Sequence, residues 1–331
     1  MAKLHTIRLG ESRCLARSGQ VLLDAALVGG MDLPHDCRAG RCGACLVRVR
    51  AGITLGGQSR QPGMVHACQA MVFSDLDLET EALPSVRQVR GRVAALNDLA
   101  HEIVEVVIEP SEAMEIWPGQ YCRFRFRGFP DRAFSPTAPL AGGPSDGCIR
   151  LHVKQVRGGK VTPQLGRTIC AGHNVSIDGP FGHAYLRPGQ ENRLVLIGSG
   201  TGFAPVWSVA AAALAENPHR RMVLVANSRK LASYYMGPAL DFASAHPNGL
   251  AMAAVEDAAP RELPAYGSAS QDLPPLGADD IVYTAGSPVL VDAVAKLALR
   301  AGAEFHADPF EAAQPQSEGW MDRARAWLAA G

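Results

Sequence analysis

Net charge is missing from this chain: 32 Lys and Arg are balanced by 32 Asp and Glu over 331 residues. Without net charge there is no broad basic field, which excludes a general nucleic-acid binder. Long hydrophobic runs are missing too. A membrane-spanning helix needs roughly 18–20 consecutive apolar residues, and the best candidate, APVWSVAAAALAE, is too short. The opening MAKLHTIRLGES has no apolar core of the kind a secretory signal carries. Together these absences predict a cytoplasmic protein with no membrane partner. Its eight cysteines are then expected to be ligands or free thiols rather than disulfides.

A second CxxC unit is also lacking, and this bears on the stretch DCRAGRCGACLVRV, residues 36–49. Cys37, Cys42 and Cys45 fall within nine residues there. A zinc site, a disulfide knot and an iron–sulfur loop compete to explain them. Zinc usually takes two paired Cys or His units, whereas here one unit carries three thiols and Cys68 follows after 22 intervening residues. C-x4-C-x2-C…C is the plant-type [2Fe–2S] spacing. A loop around a flat anionic cluster must aim its N–H groups at the sulfurs. Gly40 and Gly43 permit that approach, and the small Ala39 and Ala44 leave room. Cys37, Cys42, Cys45 and Cys68 are therefore the candidate metal ligands. Cys14, Cys122, Cys148 and Cys170 have no ligand spacing and read as free thiols. The flanks fit a small ferredoxin: KLHTIRL and CLVRVRAG read as strands, and QVLLDAALVGG as a short helix ending at Gly29–Gly30.

The chain is too long for one core, so two or three domains are expected. After the acidic, proline-containing stretch FSDLDLETEALPSVRQ, read as a linker, the pattern turns β-rich: GRVAALNDL, HEIVEVVIE, YCRFRFRGF, CIRLHVKQV, NVSIDGPFG. Short strands with Gly and Pro turns predict a small barrel. Two stretches in it stand out. DRAFSPT covers residues 131–137. VRGGKVTPQL offers a glycine turn before an expected helix, a suitable place for an anion.

Next comes RLVLIGSGTGFAPVWSVAAAALA: a buried-strand run, then Gly198, Gly200 and Gly202, then a helix entered through Pro205. Strand, tight glycine turn and helix start form a dinucleotide phosphate site. RMVLVAN and DIVYTAGS read as further strands and SPVLVDAVAKLALRAG as a helix, which implies a parallel sheet with crossover helices. An acidic residue after RMVLVAN would accept from a ribose 2′-hydroxyl and repel a 2′-phosphate. None lies between Asn227 and Asp241, while Ser228, Arg229 and Lys230 could take a phosphate. NADPH is expected to be at least tolerated. The competing reading, solvated turn charges and NADH preferred, stays open.

These motifs carry a resemblance. The cysteine segment is similar to the plant-type ferredoxin module of bacterial flavin reductases, with a shorter stretch before Cys68. R-x-F-S at 132–135, followed by the glycine turn, resembles the flavin site of the ferredoxin–NADP reductase family. By that resemblance Arg132 pairs with the flavin pyrophosphate, Phe134 lies against the isoalloxazine beside Ala133, and Ser135 bonds flavin N5 as the catalytic hydroxyl. His152, Val153 and Lys154 line the other flavin edge, and Gly159, Lys160, Val161 and Thr162 cradle the phosphates. The competing view makes Arg132 a surface charge, Phe134 a core aromatic and His152 a packed histidine. GSGTGFAP resembles the family's nicotinamide motif, which assigns Gly200, Thr201, Gly202 and Pro205 to the nucleotide, with Ser228 and Arg229 beyond them. Gly286 and Ser287 stand in the family's C-G-[PS]-P motif, where Ala285 replaces the cysteine. In FHADPF, Phe310 matches an aromatic near the flavin.

Taken together, the order resembles reductase components of bacterial oxygenases, most closely those of Rieske aromatic-ring dioxygenases of the terephthalate type. The implied fold is a β-grasp [2Fe–2S] ferredoxin (1–80), a linker (81–89), a six-stranded antiparallel FAD-binding β-barrel (90–188) and a Rossmann-like NAD(P)-binding parallel sheet (189–310). The extension 311–331 ends in an amphipathic stretch with Trp320, Met321, Ala324, Trp327 and Leu328 on one face. The implied cofactors are a [2Fe–2S] cluster, FAD rather than FMN, and NADPH or NADH. The implied partner is a terminal oxygenase docking at Arg38 and Arg41, where an excess of basic residues in the first 75 would steer it. The alternatives are the same electron-transfer role for a diiron monooxygenase or a cytochrome P450, and a non-catalytic cluster-binding scaffold with a degenerate flavin site.

Overall fold

The computed structural model describes residues 3–257 except 32, 36–37, 39, 41–42, 60–62, 81–82 and 145, together with 267–268 and 274–310. The cores form around three sheets.

The first sheet begins with a hairpin of β1 (Leu4–Leu9) and β2 (Ser12–Arg17). Helix α1 (Leu22–Val28) follows, with Leu22, Leu23, Ala25 and Ala26 buried. It stops at Gly29, where a Cβ would lie 2.2 Å from the Cys14 Cβ. Then come β3 (Leu46–Ala51), β4 (Thr54–Leu55), β5 (Met64–His66), β6 (Met71–Val72) and β7 (Leu76–Glu79). The sheet order is β2-β1-β7-β3-β5, with β1 and β7 parallel, and β4 pairs separately with β6. This mixed sheet gripping one helix is the β-grasp arrangement. Ile7, Leu33, Val47, Leu76 and Leu78 fill the space under α1.

The second sheet comprises β8 (Arg87–Ala100), β9 (Ile103–Pro110), β10 (Tyr121–Phe126), β11 (Arg132–Phe134), β12 (Ile149–Lys154) and β13 (Asn174–Phe181). All pairs are antiparallel, in the order β11-β10-β13-β8-β9-β12. The long β8 shifts register twice against β9, and such bulges bend a strand. The two ends of the sheet meet where the Thr137 N–H donates to the Arg150 carbonyl at 2.9 Å, nearly closing a barrel around Phe124, Phe126, Leu151 and Ile177.

The third sheet is parallel: β14 (Leu194–Ser199), β15 (Met222–Ser228), β16 (Gly249–Val255), β17 (Gly267–Ser268), β18 (Ile281–Gly286) and β19 (Glu304–Pro309), in the order β17-β16-β15-β14-β18-β19. Leu194 and Leu196 turn toward α2 (Phe203–Glu216) and α3 (Gly237–Ser244). Val195 and Ile197 turn toward α4 (Pro288–Ala301). Both faces are covered, which explains the near-continuous apolar runs of these strands. The strand order reverses between β14 and β18, and their carboxyl ends open a crevice there.

Two expectations fail locally. The stretch FSDLDLETEALPSVRQ, read as a linker, contains β7 in the middle of the first sheet and the start of β8. The residues after the GGK turn form only a single 3-10 turn, Thr162–Gln164, not a helix. The chain leaves it at Gly166, in a left-handed conformation at φ +79°. Among the described residues no helix is long and apolar enough to cross a membrane.

Candidate active site

The crevice between β14 and β18 is shaped by missing side chains. A Cβ on Gly202 would sit 2.5 Å from the Ala285 carbonyl oxygen and from the Gly286 Cα and N. A Cβ on Gly198 would meet the Phe203 Cα at 2.6 Å. The Gly200–Gly202 turn can therefore lie flat across the end of β18 and feed directly into α2. Thr201 rides on this turn half-buried, and Pro205 is buried in the first turn of α2. Opposite, Ser287 accepts from the Leu290 N–H at 3.4 Å and caps α4, so its hydroxyl is engaged locally. Gly286 abuts Ser199 and accepts through its carbonyl from the Phe310 N–H at 2.7 Å, which brings Phe310 to the crevice.

The barrel supplies the facing wall. On β11, Arg132 and Phe134 are half-buried and Ala133 is exposed. The Phe134 ring packs at a tilt 6.0 Å from that of Phe124, and Arg132 Nη1 donates to the Asp131 carbonyl at 2.7 Å. Arg123 and Arg125 also approach the Asp131 carboxylate, at 3.5 and 3.9 Å, so guanidinium groups gather at this edge. Ser135 is buried and its hydroxyl donates to Asp308 Oδ2 at 3.0 Å, joining barrel to β19 across 173 residues. Burial pushes the Asp308 carboxyl up to about 6, partly opposed by the Ser135 hydroxyl. The sequence singled out Phe310 but passed over Asp308, two residues earlier. Its only sequence signal is an acidic residue in an otherwise half-buried terminal strand.

His152 is 4% exposed, and neither ring nitrogen has a partner among the described residues. Its ring meets that of Tyr235 edge-on at 5.0 Å, and Tyr235 donates to the Gly200 carbonyl at 3.3 Å. Burial, aided by Arg150, pushes the imidazole down to about 3, so it is neutral. Val153 points into the barrel core and Lys154 into solvent. Beyond them Gly159 is half-buried and Lys160 exposed. Val161 belongs to the core, and Thr162 Oγ1 accepts from the Val156 N–H at 3.0 Å. Backbone groups, the Thr162 hydroxyl proton and the exposed Arg157 and Lys160 are available to an anion at this turn.

A small cavity lies beside Asp308, walled by Pro205, Val209, Thr284 and Ala285. The Thr284 hydroxyl facing this region has no partner among the described residues. Thr137 ties the two walls together: its Oγ1 donates to the Ala204 carbonyl at 2.8 Å.

At the cluster loop, Cys45 and Cys68 are both buried beneath the surface. Cys37, Cys42 and Arg41 lie outside the described residues, as does the whole 311–331 extension. Arg38, Gly40 and Gly43 all take left-handed φ values, 54°, 70° and 71°, a sharply turning backbone. Gln69 Nε2 steadies it by donating to the Arg38 and Cys68 carbonyls. The Arg38 side chain pairs with Asp24 of α1 at 2.9 Å. At the end of β15, Ser228 is buried and donates to the Lys230 carbonyl at 2.9 Å, whereas Arg229 beyond it is exposed.

These residues fit the groups the motifs imply. Two buried thiols, Cys45 at the end of the turning loop and Cys68 after β5, are linked through the Ala67 N–H, which donates to the Cys45 carbonyl at 3.0 Å; the buried His152 imidazole is neutral, the Ser135 hydroxyl lies against Asp308, and a flat glycine turn leaves no Cβ in the way.

Three families match the chain in series: a 2Fe-2S iron-sulfur cluster binding domain over residues 8–73, an oxidoreductase FAD-binding domain over 98–185 and an oxidoreductase NAD-binding domain over 196–296. The chain is 30% identical over 315 residues to the ferredoxin–NAD(P)+ reductase component of the naphthalene 1,2-dioxygenase/salicylate 5-hydroxylase systems of a Ralstonia species, covering 89% of this chain and 94% of that one. It is 28% identical to the terephthalate 1,2-dioxygenase reductase component 2 of a Comamonas species, over 88% and 92%. A solved Amycolatopsis cytochrome P450 reductase superposes with a TM-score of 0.69 at 28% identity, covering 94% of this chain and all of that one.

Proposed function

Because the chain belongs to the family of ferredoxin–NAD(P)+ reductase components of oxygenase systems, we propose that its oxygenase partner is a Rieske aromatic-ring dioxygenase of the terephthalate type. It is an NAD(P)H-dependent oxidoreductase built on a [2Fe–2S] cluster and FAD. FAD accepts two electrons as a hydride and the cluster carries one, so together they turn a two-electron donor into a one-electron supply.

The chain's own residues divide the work. Cys37, Cys42, Cys45 and Cys68 hold the cluster. Arg132 and the Gly159–Thr162 turn would take the flavin phosphates, and the Ser135 hydroxyl would stand at the flavin's hydride-accepting nitrogen. Asp308, fixed on the Ser135 hydroxyl, orients it and can hold a proton there. His152 offers the cleft a neutral hydrogen-bonding ring. Gly200, Thr201 and Gly202 present N–H groups to the nucleotide phosphates at the start of α2, and Gly286, Ser287 and Phe310 bound the nicotinamide side. The observation that carries this reading is the Ser135–Asp308 hydrogen bond. It places a hydroxyl and a carboxyl from two modules at the crevice that the glycine turn opens. Positioning the donor carbon against the acceptor nitrogen is the main contribution a protein can make to such a transfer.

The module boundaries 1–80, 90–188 and 189–310 accompany this reading. So does docking of the oxygenase at the cluster rim, with Arg38 and Arg41 toward an acidic face, which makes electron delivery slower as salt rises. Anaerobic NADH titration of the purified protein is expected to bleach a flavin band and then a cluster band. Turnover is expected on mixing with a terephthalate-type oxygenase. A preparation with no iron, labile sulfide or restorable flavin would sink the reading. A second reading, delivery to a cytochrome P450, is favoured by the superposition on the Amycolatopsis reductase. Turnover with a P450 demethylase and none with the dioxygenase would establish it instead.

A further inference from the structure

In a parallel sheet of this kind the adenine-proximal ribose lies at the carboxyl end of the second strand, where a carboxylate selects the 2′-hydroxyl. Here that strand is β15, which ends at Ser228, and the charged residues of the loop that follows are Arg229 and Lys230. Ser228 is buried with its hydroxyl engaged by the Lys230 carbonyl. Arg229 and Lys230 are exposed, and neither has an ion-pair partner among the described residues. The neighbouring strand changes the picture. β16 runs parallel to β15 in a register that sets Val255 beside Ser228, and the Glu256 N–H donates to the Ser228 carbonyl at 3.0 Å. One residue on, Asp257 Oδ1 accepts from the Leu231 N–H at 2.7 Å. A carboxylate from the third strand thus stands inside the loop of the second, where the linear sequence has no acidic residue.

We propose that Asp257 is the specificity-determining residue that selects a 2′-hydroxyl over a 2′-phosphate, making NADH the preferred reductant. This rests on the reading of the Gly200–Gly202 turn as the dinucleotide site. The Leu231 N–H fixes one carboxylate oxygen and leaves the other to accept from a ribose hydroxyl. The same N–H is a donor that a 2′-phosphate oxygen would otherwise use, so Asp257 both occupies the phosphate's donor and repels its charge. It also offsets the two cations that would otherwise welcome a phosphate.

The test uses the full FAD-loaded chain and two ligands that differ only in the 2′-phosphate, 5′-AMP and 2′,5′-ADP, with dissociation constants measured by calorimetry. Wild type is expected to favour 5′-AMP by about tenfold. Asp257→Asn keeps the acceptor for Leu231 and removes the charge. It is expected to tighten 2′,5′-ADP about tenfold while 5′-AMP changes less than about threefold. Adding Arg229→Ala to that variant should reverse the gain. A ratio unchanged in Asp257→Asn, or a wild-type preference for 2′,5′-ADP, overturns the inference and leaves the nucleotide site standing. Failure of wild type to bind either ligand overturns the nucleotide site itself, and the inference with it.

Discussion

The two walls of the cleft are built by opposite means. The nucleotide wall is made by what is left out: at Gly198 and Gly202 a single added carbon would strike backbone within 2.6 Å. The barrel wall is made by what is put in: Ser135 and His152 are buried polar groups, and Asp308 meets Ser135 from β19 of the third sheet. A site carved from backbone tolerates no added atom but is indifferent to pH. A site built from buried polar side chains tolerates some change of shape but carries a titration record.

The comparison can be broken most forcefully at Gly202. Gly202→Ala is expected to cost about 1–3 kcal/mol by overpacking and to abolish measurable nucleotide binding. Gly200→Ala, where nothing lies within 4 Å and only the left-handed φ of +55° opposes a side chain, should cost about 1 kcal/mol. Thermal melts with and without NADH check both. If the two variants melt alike, the wall is not defined by close approach.

Where the two walls meet, Asp308→Asn retains an acceptor for Ser135 and removes the titration. The folded state holds the Asp308 proton up to about pH 6, above the carboxyl's ordinary 3.8. It therefore binds more protons there than the unfolded chain, and stability is lost as pH rises between those values. The variant should not show that loss, and the pH dependence of flavin reduction near 6 should flatten in stopped-flow traces.

His152 gives the reverse sign. Its folded value of about 3 lies below the ordinary 6.5. The unfolded chain thus takes up the proton first, and stability falls as pH drops through 6.5 toward 3. His152→Phe should melt at a less pH-dependent temperature between pH 4 and 7. The smallest effect belongs to the surface. Asp24→Asn removes the exposed ion pair to Arg38, should change stability by less than about 1 kcal/mol, and should steepen the salt dependence of delivery to the oxygenase by freeing a guanidinium.

What could be read from the linear chain follows the same division. Cysteine spacing and the GSGTG turn are local, because a loop or tight turn is specified within ten residues, and the strands around them declare themselves by alternation or apolar runs. The Ser135–Asp308 bond is not local: it joins residues 173 apart, and neither neighbourhood predicts the other. Asp257 was hidden for the same reason, since sheet register alone brings it beside Leu231. The expected helix after the GGK turn failed because Gly166 turns the chain away after one short turn. Arg38 reads in sequence as a free cation, and only folding shows it leaning on α1.

Thr137 belongs to both halves of the cleft at once. Its amide fastens the last barrel strands together, while its hydroxyl grips the first turn of α2. Prising barrel from sheet would therefore pull on the residue that closes the barrel. One threonine thus works as a rivet between the barrel's closing seam and the helix that begins at the glycine turn.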